Sequence, residues 1–191
     1  HKNVATEDDP ASAKKNEVLF FFWIRSILYS YLSAWRIENK RSQRKYKSAL
    51  SLKNEMIRIT IISILMLGII YLVFSLNVLI AFLFAALIGI LLLETVNYIE
   101  HYGLRRKKLS ENRYEDTSVE HSWNSNQNFG RLLLFELTRH SDHHAYPHKK
   151  YQVLEHHDES PQLPAGYPSM MVLAFLPPIY FLIMNPRIPK S

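Results

Sequence analysis

The longest apolar stretch of the chain runs from Ile59 to Leu93 and contains no Lys, Arg, Asp, Glu or His. As one helix it would be about 52 Å long at 1.5 Å per residue, whereas the hydrocarbon core of a bilayer is about 30 Å thick. Two helices that fold back near Ser75, Leu76 and Asn77 fit this thickness, provided that the second continues past Leu93. We therefore predict a transmembrane hairpin over about residues 57–100.

Two further apolar segments contain residues that a simple membrane span would avoid. The aromatic-rich segment from Val18 to Trp35 includes Arg25, which favours a helix at the membrane interface or one packed in a bundle. The segment from Met170 to Met184 includes a Pro-Pro pair. Prolines interrupt helices, so this pattern predicts a broken or re-entrant membrane-associated element over about residues 168–185.

Basic residues flank both ends of the predicted hairpin. The segment from Arg36 to Arg58 carries eight of them against only Glu38 and Glu55, and four more follow in a row from Arg105 to Lys108. Lys and Arg are enriched in cytoplasmic loops. Both ends of the hairpin, and the histidine-containing region over about residues 101–165, are therefore predicted to be cytoplasmic.

Three histidines suggest a metal site in the segment from Phe129 to Tyr146, which is predicted to be a helix. His140, His143 and His144 are spaced i, i+3 and i+4 and so share one face of a helix. Neutral imidazoles grouped in this way suit a cation. A solvated histidine face would also explain the spacing.

A second polar group is predicted where the hairpin ends. Glu94, Asn97 and His101 are spaced i, i+3 and i+7 on one helical face. Polar side chains in an apolar helix are costly unless they serve something inside the bundle. Alternatively, Glu94 and Asn97 satisfy each other between helices.

The remaining histidines lack ligand spacing. His121 lies in a polar loop, which is more typical of a hydrogen-bonding residue than of a ligand, and His148, His156 and His157 are interpreted as solvated. The chain has no cysteine, which excludes thiolate zinc sites and iron–sulfur clusters. Imidazole donors leave iron, zinc, copper and nickel open. A site beneath apolar helices favours a lipophilic substrate, whose oxidation would need a redox metal.

These patterns together predict a single domain over residues 1–191. Its class would be all-α, an integral membrane helical bundle in the lipid bilayer with a histidine-rich metal site on the cytoplasmic side. The net charge of +6 does not indicate nucleic-acid binding, because the basic residues lie beside the apolar segments rather than in a separate basic domain.

Three stretches of the chain resemble signature sequences of a known family. Asn97–Leu104, Glu120–Ser125 and Arg139–Ala145 are similar to those of the membrane-bound alkane hydroxylases, whose superfamily includes the membrane fatty-acid desaturases. The opening residues His1–Thr6 resemble the sequence just after that family's second histidine box. The chain is therefore expected to be a C-terminal fragment, with His1 as the last histidine of that box.

The resemblance implies a bacterial inner-membrane enzyme with two histidine-bound iron ions. It would use O2 to hydroxylate the terminal methyl group of n-alkanes, with electrons from rubredoxin and rubredoxin reductase. The ligands supplied by this chain would be His1, His101, His140, His143 and His144. The residues expected to orient the imidazoles are Glu94, Asn97, Glu100, His121 and Asp142. With upstream ligands absent, the fragment alone is expected to be inactive.

Other functions remain open from the sequence. The enzyme alternatives are a lipid desaturase or a hydroxylase of the same superfamily that acts on aromatic methyl groups. The non-enzyme alternative is a membrane hairpin protein whose histidines bind zinc or no metal. Acidic rubredoxin is expected to dock on the basic run from Arg105 to Lys108, although these residues could serve only to set the membrane topology.

Overall fold

The computed structural model describes residues 3–111 and 113–189 and is mainly helical. The helices are α1 (Leu19–Tyr46), α2 (Glu55–Val73), α3 (Leu76–His101), α4 (Asn128–Leu133), α5 (His140–Ala145), α6 (Tyr167–Ala174) and α7 (Pro177–Met184). Single 3-10 turns lie at Val119–His121, Tyr151–Val153 and Asn185–Arg187. Two short strands, β1 (Lys108–Ser110) and β2 (Arg113–Tyr114), pair antiparallel. The predicted helical class is thus confirmed, with this small ribbon as an addition.

The chain divides into two compact units. One unit is Ile27–Leu92, and the other combines the segments up to Ser26 and from Leu93 onwards. The division passes through α1 and α3, so each of these helices contributes residues to both units.

The unit Ile27–Leu92 contains a polar corner where α1 is followed by α2. The buried side chain of Asn54 caps α2 by accepting hydrogen bonds from the backbone N–H groups of Met56 and Ile57 at 3.0 and 3.4 Å. Its amide group donates to the Asn39 side chain and to the Ala49 carbonyl. A helix start satisfied in this way is well defined, so the loop before α2 has a fixed end.

Helices α2 and α3 are the apolar helices predicted as a hairpin. Both are long and apolar enough to cross a membrane, with mean hydropathies of 2.4 and 2.9, and their most apolar stretches contain no buried residue. They are separated at Ser75, whose φ of 144° is incompatible with a continuous helix. The break therefore lies where the sequence predicted it, and a crossing of the bilayer as a hairpin stays a prediction.

The other unit has an aromatic core. Tyr98, Tyr102 and Tyr180 are fully buried, and their ring centroids lie 5.0 to 5.4 Å apart. The hydroxyl of Tyr102 donates to the side chain of Asn185 at 2.9 Å and accepts from the backbone of Asn16 at 2.9 Å. Burial of each such ring stabilises the fold by about 1.5–3 kcal/mol. This core supports the last turns of α3, where the candidate site begins.

The C-terminal apolar segment is broken at its prolines, as the sequence predicted. Helix α6 ends at Ala174 and α7 begins at Pro177, with Leu176 in a non-helical conformation between them. Proline is well tolerated in the first turn of a helix because its missing N–H would have no helical partner there. The Pro-Pro pair therefore starts a new helix instead of continuing α6.

The prediction of one helix from Phe129 to Tyr146 is wrong. This segment instead contains the two six-residue helices α4 and α5. Between them, Phe135 and Glu136 have φ values of 50° and 63°, a left-handed conformation that a right-handed helix cannot contain. The guanidinium of Arg131 holds this turn by donating to the Glu136 carboxylate at 2.8 and 2.9 Å.

Candidate metal centre

The last turns of α3 carry the first part of the candidate site. The helix changes from exposed to buried at Thr95, and both Glu100 and His101 are buried at its end. Glu94 and Asn97 lie about two turns and one turn before His101, and both are only half-buried. The polar residues predicted along this helix therefore become progressively more enclosed towards His101.

Helix α5 supplies two further buried imidazoles. His140 and His144 are one helical turn apart, and their Nε2 atoms lie 2.8 Å from each other. The ring centroid of His101 lies 5.2 Å from that of His140 and 5.0 Å from that of His144. Each of the three residues offers one ligand atom, and these atoms lie within 4.8 Å of one another. Three of the five predicted ligands are thus brought together.

A buried carboxyl group lies against this cluster. Glu100 is 1% exposed, and its Oε2 atom lies 3.2 Å from His140 Nε2. Its Oε1 atom has no hydrogen-bond partner among the described residues. The hydroxyl of Tyr167 lies beside this carboxyl group and donates to the Trp123 carbonyl at 3.2 Å. The pKa of Tyr167 is raised mainly by burial and, to a smaller extent, by the nearby Glu100, so this hydroxyl keeps its proton.

The electrostatics of the cluster favour neutral imidazoles. The pKa of His140 is lowered well below its usual value, mainly by burial and secondly by the nearby His144. The pKa of His144 is lowered to about 2, mainly by burial and secondly by electrostatic repulsion from His101. Neutral histidines have lone pairs available for a metal at pH 7.

The arrangement fits a bound cation. When both rings are neutral, the Nε2 atoms of His140 and His144 can share one hydrogen bond, in which one nitrogen donates and the other accepts. The Nδ1 atoms of His101 and His140 are buried without a hydrogen-bond partner in the described part of the chain. Unsatisfied buried polar atoms are costly, and a metal ion would take up such lone pairs. Nitrogen and carboxylate donors together suit iron, zinc, copper or nickel.

A polar stretch in the loop after β2 connects the two halves of the site. The backbone N–H of Trp123 donates to the Glu100 carbonyl at 2.8 Å, and the Trp123 indole donates to the Tyr102 carbonyl at 2.9 Å. Asn124 reaches α5, because its side chain accepts from Ser141 N at 2.9 Å and donates to Ser141 Oγ at 2.6 Å. Trp123 and Asn124 thereby join the end of α3 to the start of α5.

Asp142 anchors the opposite side of α5. Its buried carboxylate accepts from Lys149 Nζ at 3.1 Å, from the backbone N–H of Glu155 at 3.0 Å, and lies 2.8 Å from His157 Nε2. Burial alone would raise the pKa of Asp142, but these hydrogen bonds lower it below its usual value. These contacts of Asp142 tie the following chain segment to α5. The interpretation of His157 as solvated is wrong, since its ring binds this carboxylate.

The remaining predicted residues lie around the cluster or outside it. His143 is half-buried, with its ring centroid 5.7 Å from those of both His140 and His144, and it is not one of the three clustered ligands. His1 lies outside the described residues. No hydrogen bond joins Glu94 to Asn97 in the described part of the chain.

His121 makes hydrogen bonds in its own loop. Its Nδ1 atom accepts from the backbone N–H of Ser118 at 3.0 Å, and its Nε2 atom lies 3.1 Å from the Glu115 carboxylate. The sequence interpretation as a hydrogen-bonding residue agrees with this placement. Tyr167 and Asn124, by contrast, were not predicted to serve the site, because their partners are far away in the chain and no local spacing reveals them.

Comparisons with known proteins agree with this geometry. The sequence model of the fatty acid desaturase family matches residues 1–174. The chain is 46% identical over 188 residues to alkane 1-monooxygenase 2 of Pseudomonas aeruginosa, covering 98% of this chain and 50% of that protein. It is 44% identical over 188 residues to alkane 1-monooxygenase 2 of Alcanivorax borkumensis, covering 98% and 49%. The hydroxylase component of a xylene/toluene monooxygenase from Pseudomonas putida is 24% identical over 189 residues, covering 98% and 50%.

The comparisons also indicate how much of the relatives this chain covers and to which family it belongs. The chain spans about half the length of the curated relatives it matches. The two apolar helices and the family together indicate a membrane protein. Because the family model covers most of the sequence, the chain belongs to the fatty acid desaturase family.

Proposed function

We propose that this chain is part of an enzyme that hydroxylates the terminal methyl group of n-alkanes with O2. The observation that carries the proposal is the convergence of His101, His140 and His144 beside the buried Glu100. The names of the relatives with 44 and 46% identity supply the substrate class and the reaction.

The proposed cofactor is a pair of iron ions. This chain would contribute His101, His140 and His144, together with His143 at the rim of the cluster and His1 outside the described residues. Two bound irons would supply the reduction of O2 and the oxidation of the C–H bond, with two electrons delivered per turnover. The role of the protein is to keep these imidazoles neutral, oriented and dry.

Specific residues of this chain would perform that role. Glu100 lies 3.2 Å from His140 and would orient its imidazole ring. Asn124 and Asp142 hold α5 from two sides through hydrogen bonds. The buried Trp123 and Tyr167 enclose the site, which would keep water from the reacting carbon. The alkane is proposed to bind with its terminal methyl group towards the histidines.

We further propose that the site faces the cytoplasm of a bacterial inner membrane and receives electrons from rubredoxin. The basic run after α3 supports a cytoplasmic position and offers a surface for an acidic partner. Arg106 within this run is engaged by the protein itself, because its guanidinium donates to the carbonyls of Glu115 and Val4. Docking is therefore assigned to the exposed Arg105, Lys107 and Lys108.

A second candidate is hydroxylation of an aromatic methyl group. The xylene/toluene monooxygenase component matches over the same length of this chain, but at 24% identity against 46% for an alkane 1-monooxygenase. This difference favours the alkane. A desaturase is the third candidate, since the family model carries that name.

Product analysis distinguishes the candidates. The full-length protein, expressed in membranes with rubredoxin and its reductase, is supplied with n-octane or, in a parallel assay, with toluene. The products are separated by gas chromatography. We expect 1-octanol from the wild type, none from His144→Ala, and wild-type amounts from His148→Ala, whose side chain is exposed. Formation of an alkene, oxidation of toluene without octane, or full activity of His144→Ala would contradict the proposal.

A further inference from the structure

The loop between α1 and α2 exposes two leucines among lysines. Leu50 is 89% exposed and Leu52 is 71% exposed, more than most apolar side chains of α2 and α3. Lys47 and Lys53 lie on either side of them and are also exposed. Exposure of an apolar side chain to water is unfavourable in free energy. Transfer of these leucines to an apolar environment would therefore be favourable.

The loop has a defined conformation. The hydroxyl of Ser42 donates to the Ser48 carbonyl at 2.7 Å, and the amide of Asn54 donates to the Ala49 carbonyl at 2.8 Å. The ammonium group of Lys53 lies 5.0 Å from the centre of the Tyr46 ring. The leucines are thus presented by a fixed scaffold on an exposed edge.

The charges around the loop are unbalanced. Both acidic residues of the corner, Glu38 and Glu55, are paired with Arg41 at 3.0 and 2.9 Å. Six basic residues remain without an ion pair in the described part of the chain. They are Lys40, Arg44, Lys45, Lys47, Lys53 and Arg58. A surface with this excess charge attracts anions.

We propose that this loop binds the surface of a bilayer that contains anionic phospholipids. Leu50 and Leu52 would enter the boundary between headgroups and acyl chains, while Lys47 and Lys53 contact phosphate groups. The position along the chain supports this occupant, because α2 starts at Glu55 and is apolar enough to cross a membrane. Exposed leucines beside lysines match the two chemistries of that boundary.

This interaction is separate from the proposed oxidation reaction. It depends on α2 crossing a bilayer and not on the metal. It also goes beyond a topological role of the basic residues, since charge alone gives no reason for the exposure of Leu50 and Leu52. Another part of the full-length protein is the competing occupant, and the depth of the loop distinguishes the two.

The first test measures depth. The chain contains no cysteine, so a nitroxide can be attached at Leu50→Cys of the full-length protein with any other cysteine replaced by serine. The protein is placed in nanodiscs of phosphatidylcholine and phosphatidylglycerol. We expect the label to collide with O2 and to be protected from a water-soluble nickel chelate. A label at Gln152→Cys, an exposed polar position, should show the reverse.

The second test measures the headgroup preference. Binding of fluorescent phosphatidylglycerol to the purified protein is compared between the wild type and Lys47→Gln/Lys53→Gln. We expect the affinity to fall about tenfold or more, because each basic residue near an anionic surface contributes appreciably. The variant Lys14→Gln/Lys150→Gln removes the same charge from two other exposed lysines and should stay within about twofold of wild type.

Two results would overturn the proposal. If the label at position 50 is shielded from both O2 and the nickel chelate, the loop is covered by protein. If the two double variants lose equal affinity for phosphatidylglycerol, the lysines of this loop have no special role at the headgroups.

Discussion

The Nε2 atoms of His140 and His144 lie 2.8 Å apart inside the protein. Two protonated imidazoles could not share this space, whereas two neutral imidazoles can, and both residues are buried. Helical spacing brings the rings to one side of α5, and the packing of α5 against the end of α3 adds His101. The geometry of the cluster therefore favours a bound metal ion over protonated imidazoles.

The first prediction concerns the carboxyl group beside the cluster. Glu100→Gln keeps the size of the side chain but replaces the buried carboxyl group that lies 3.2 Å from His140 with an amide. Loss of a residue that supports a ligand typically lowers metal affinity about 10–100-fold, so we expect faster iron loss to a chelator. The control is Glu120→Gln, an exposed residue. Equal rates of iron release from the two variants would exclude a role for Glu100 in holding the metal.

The second prediction concerns the connection between α3 and α5. Asn124→Ala removes three hydrogen bonds to Ser141 and Ser160 and leaves buried polar groups without partners. We expect a destabilisation of about 2–4 kcal/mol, seen as a lower thermal midpoint in detergent, together with weaker iron retention. Asn128→Ala, at an exposed position, is the matched control. An unchanged midpoint for Asn124→Ala would mean that this connection does not stabilise the site.

The third prediction concerns acid sensitivity of the metal-free protein. The pKa values of His140 and His144 are lowered in the folded chain, whereas an unfolded histidine titrates near pH 6.5. Below that pH the unfolded chain binds protons that the folded chain does not, so stability decreases by about 1.4 kcal/mol per pH unit for each histidine.

Thermal midpoints of chelator-treated protein at pH 7.5 and 5.5 measure this effect. The loss on acidification should be smaller for His144→Gln than for the wild type, and unchanged for His148→Gln, whose side chain is exposed. An identical loss in all three proteins would place the acid sensitivity elsewhere.

The fourth prediction concerns electron delivery. Reversal of charge in Arg105→Glu/Lys108→Glu should raise the KM for rubredoxin about tenfold and reduce its salt dependence, because exposed charges steer an acidic partner. The KM for octane should not change. Lys14→Glu/Lys150→Glu carries the same change in charge at other exposed positions. If both double variants behave alike, the run after α3 sets topology only.

Local patterns in the sequence predicted much of this architecture. The long uncharged run indicated a break near Ser75, the Pro-Pro pair indicated the end of α6, and the i, i+4 spacing indicated that His140 and His144 share a face. Each of these features depends on neighbouring residues alone. They could therefore be recognised without knowledge of the folded chain.

Features that depend on contacts between distant residues were not predicted from the sequence. The left-handed turn at Phe135 and Glu136 follows from no glycine or proline signal, and it divides a segment with helical periodicity. The contacts of Asp142 with His157 and of Tyr167 with Glu100 join residues 15 and 67 positions apart. Glu100 lies at the end of α3, Tyr167 at the start of α6 and His157 in the segment after α5, so these groups meet only in the folded chain.

The most direct test of the metal centre is the iron content of the full-length protein. Iron is quantified per molecule in purified wild type, His101→Ala and His148→Ala, and its state is examined by Mössbauer spectroscopy. We predict two coupled irons per wild-type molecule, a clear loss in His101→Ala, and no loss in His148→Ala. Full iron content in His101→Ala, or zinc in place of iron in the active wild type, would contradict the account.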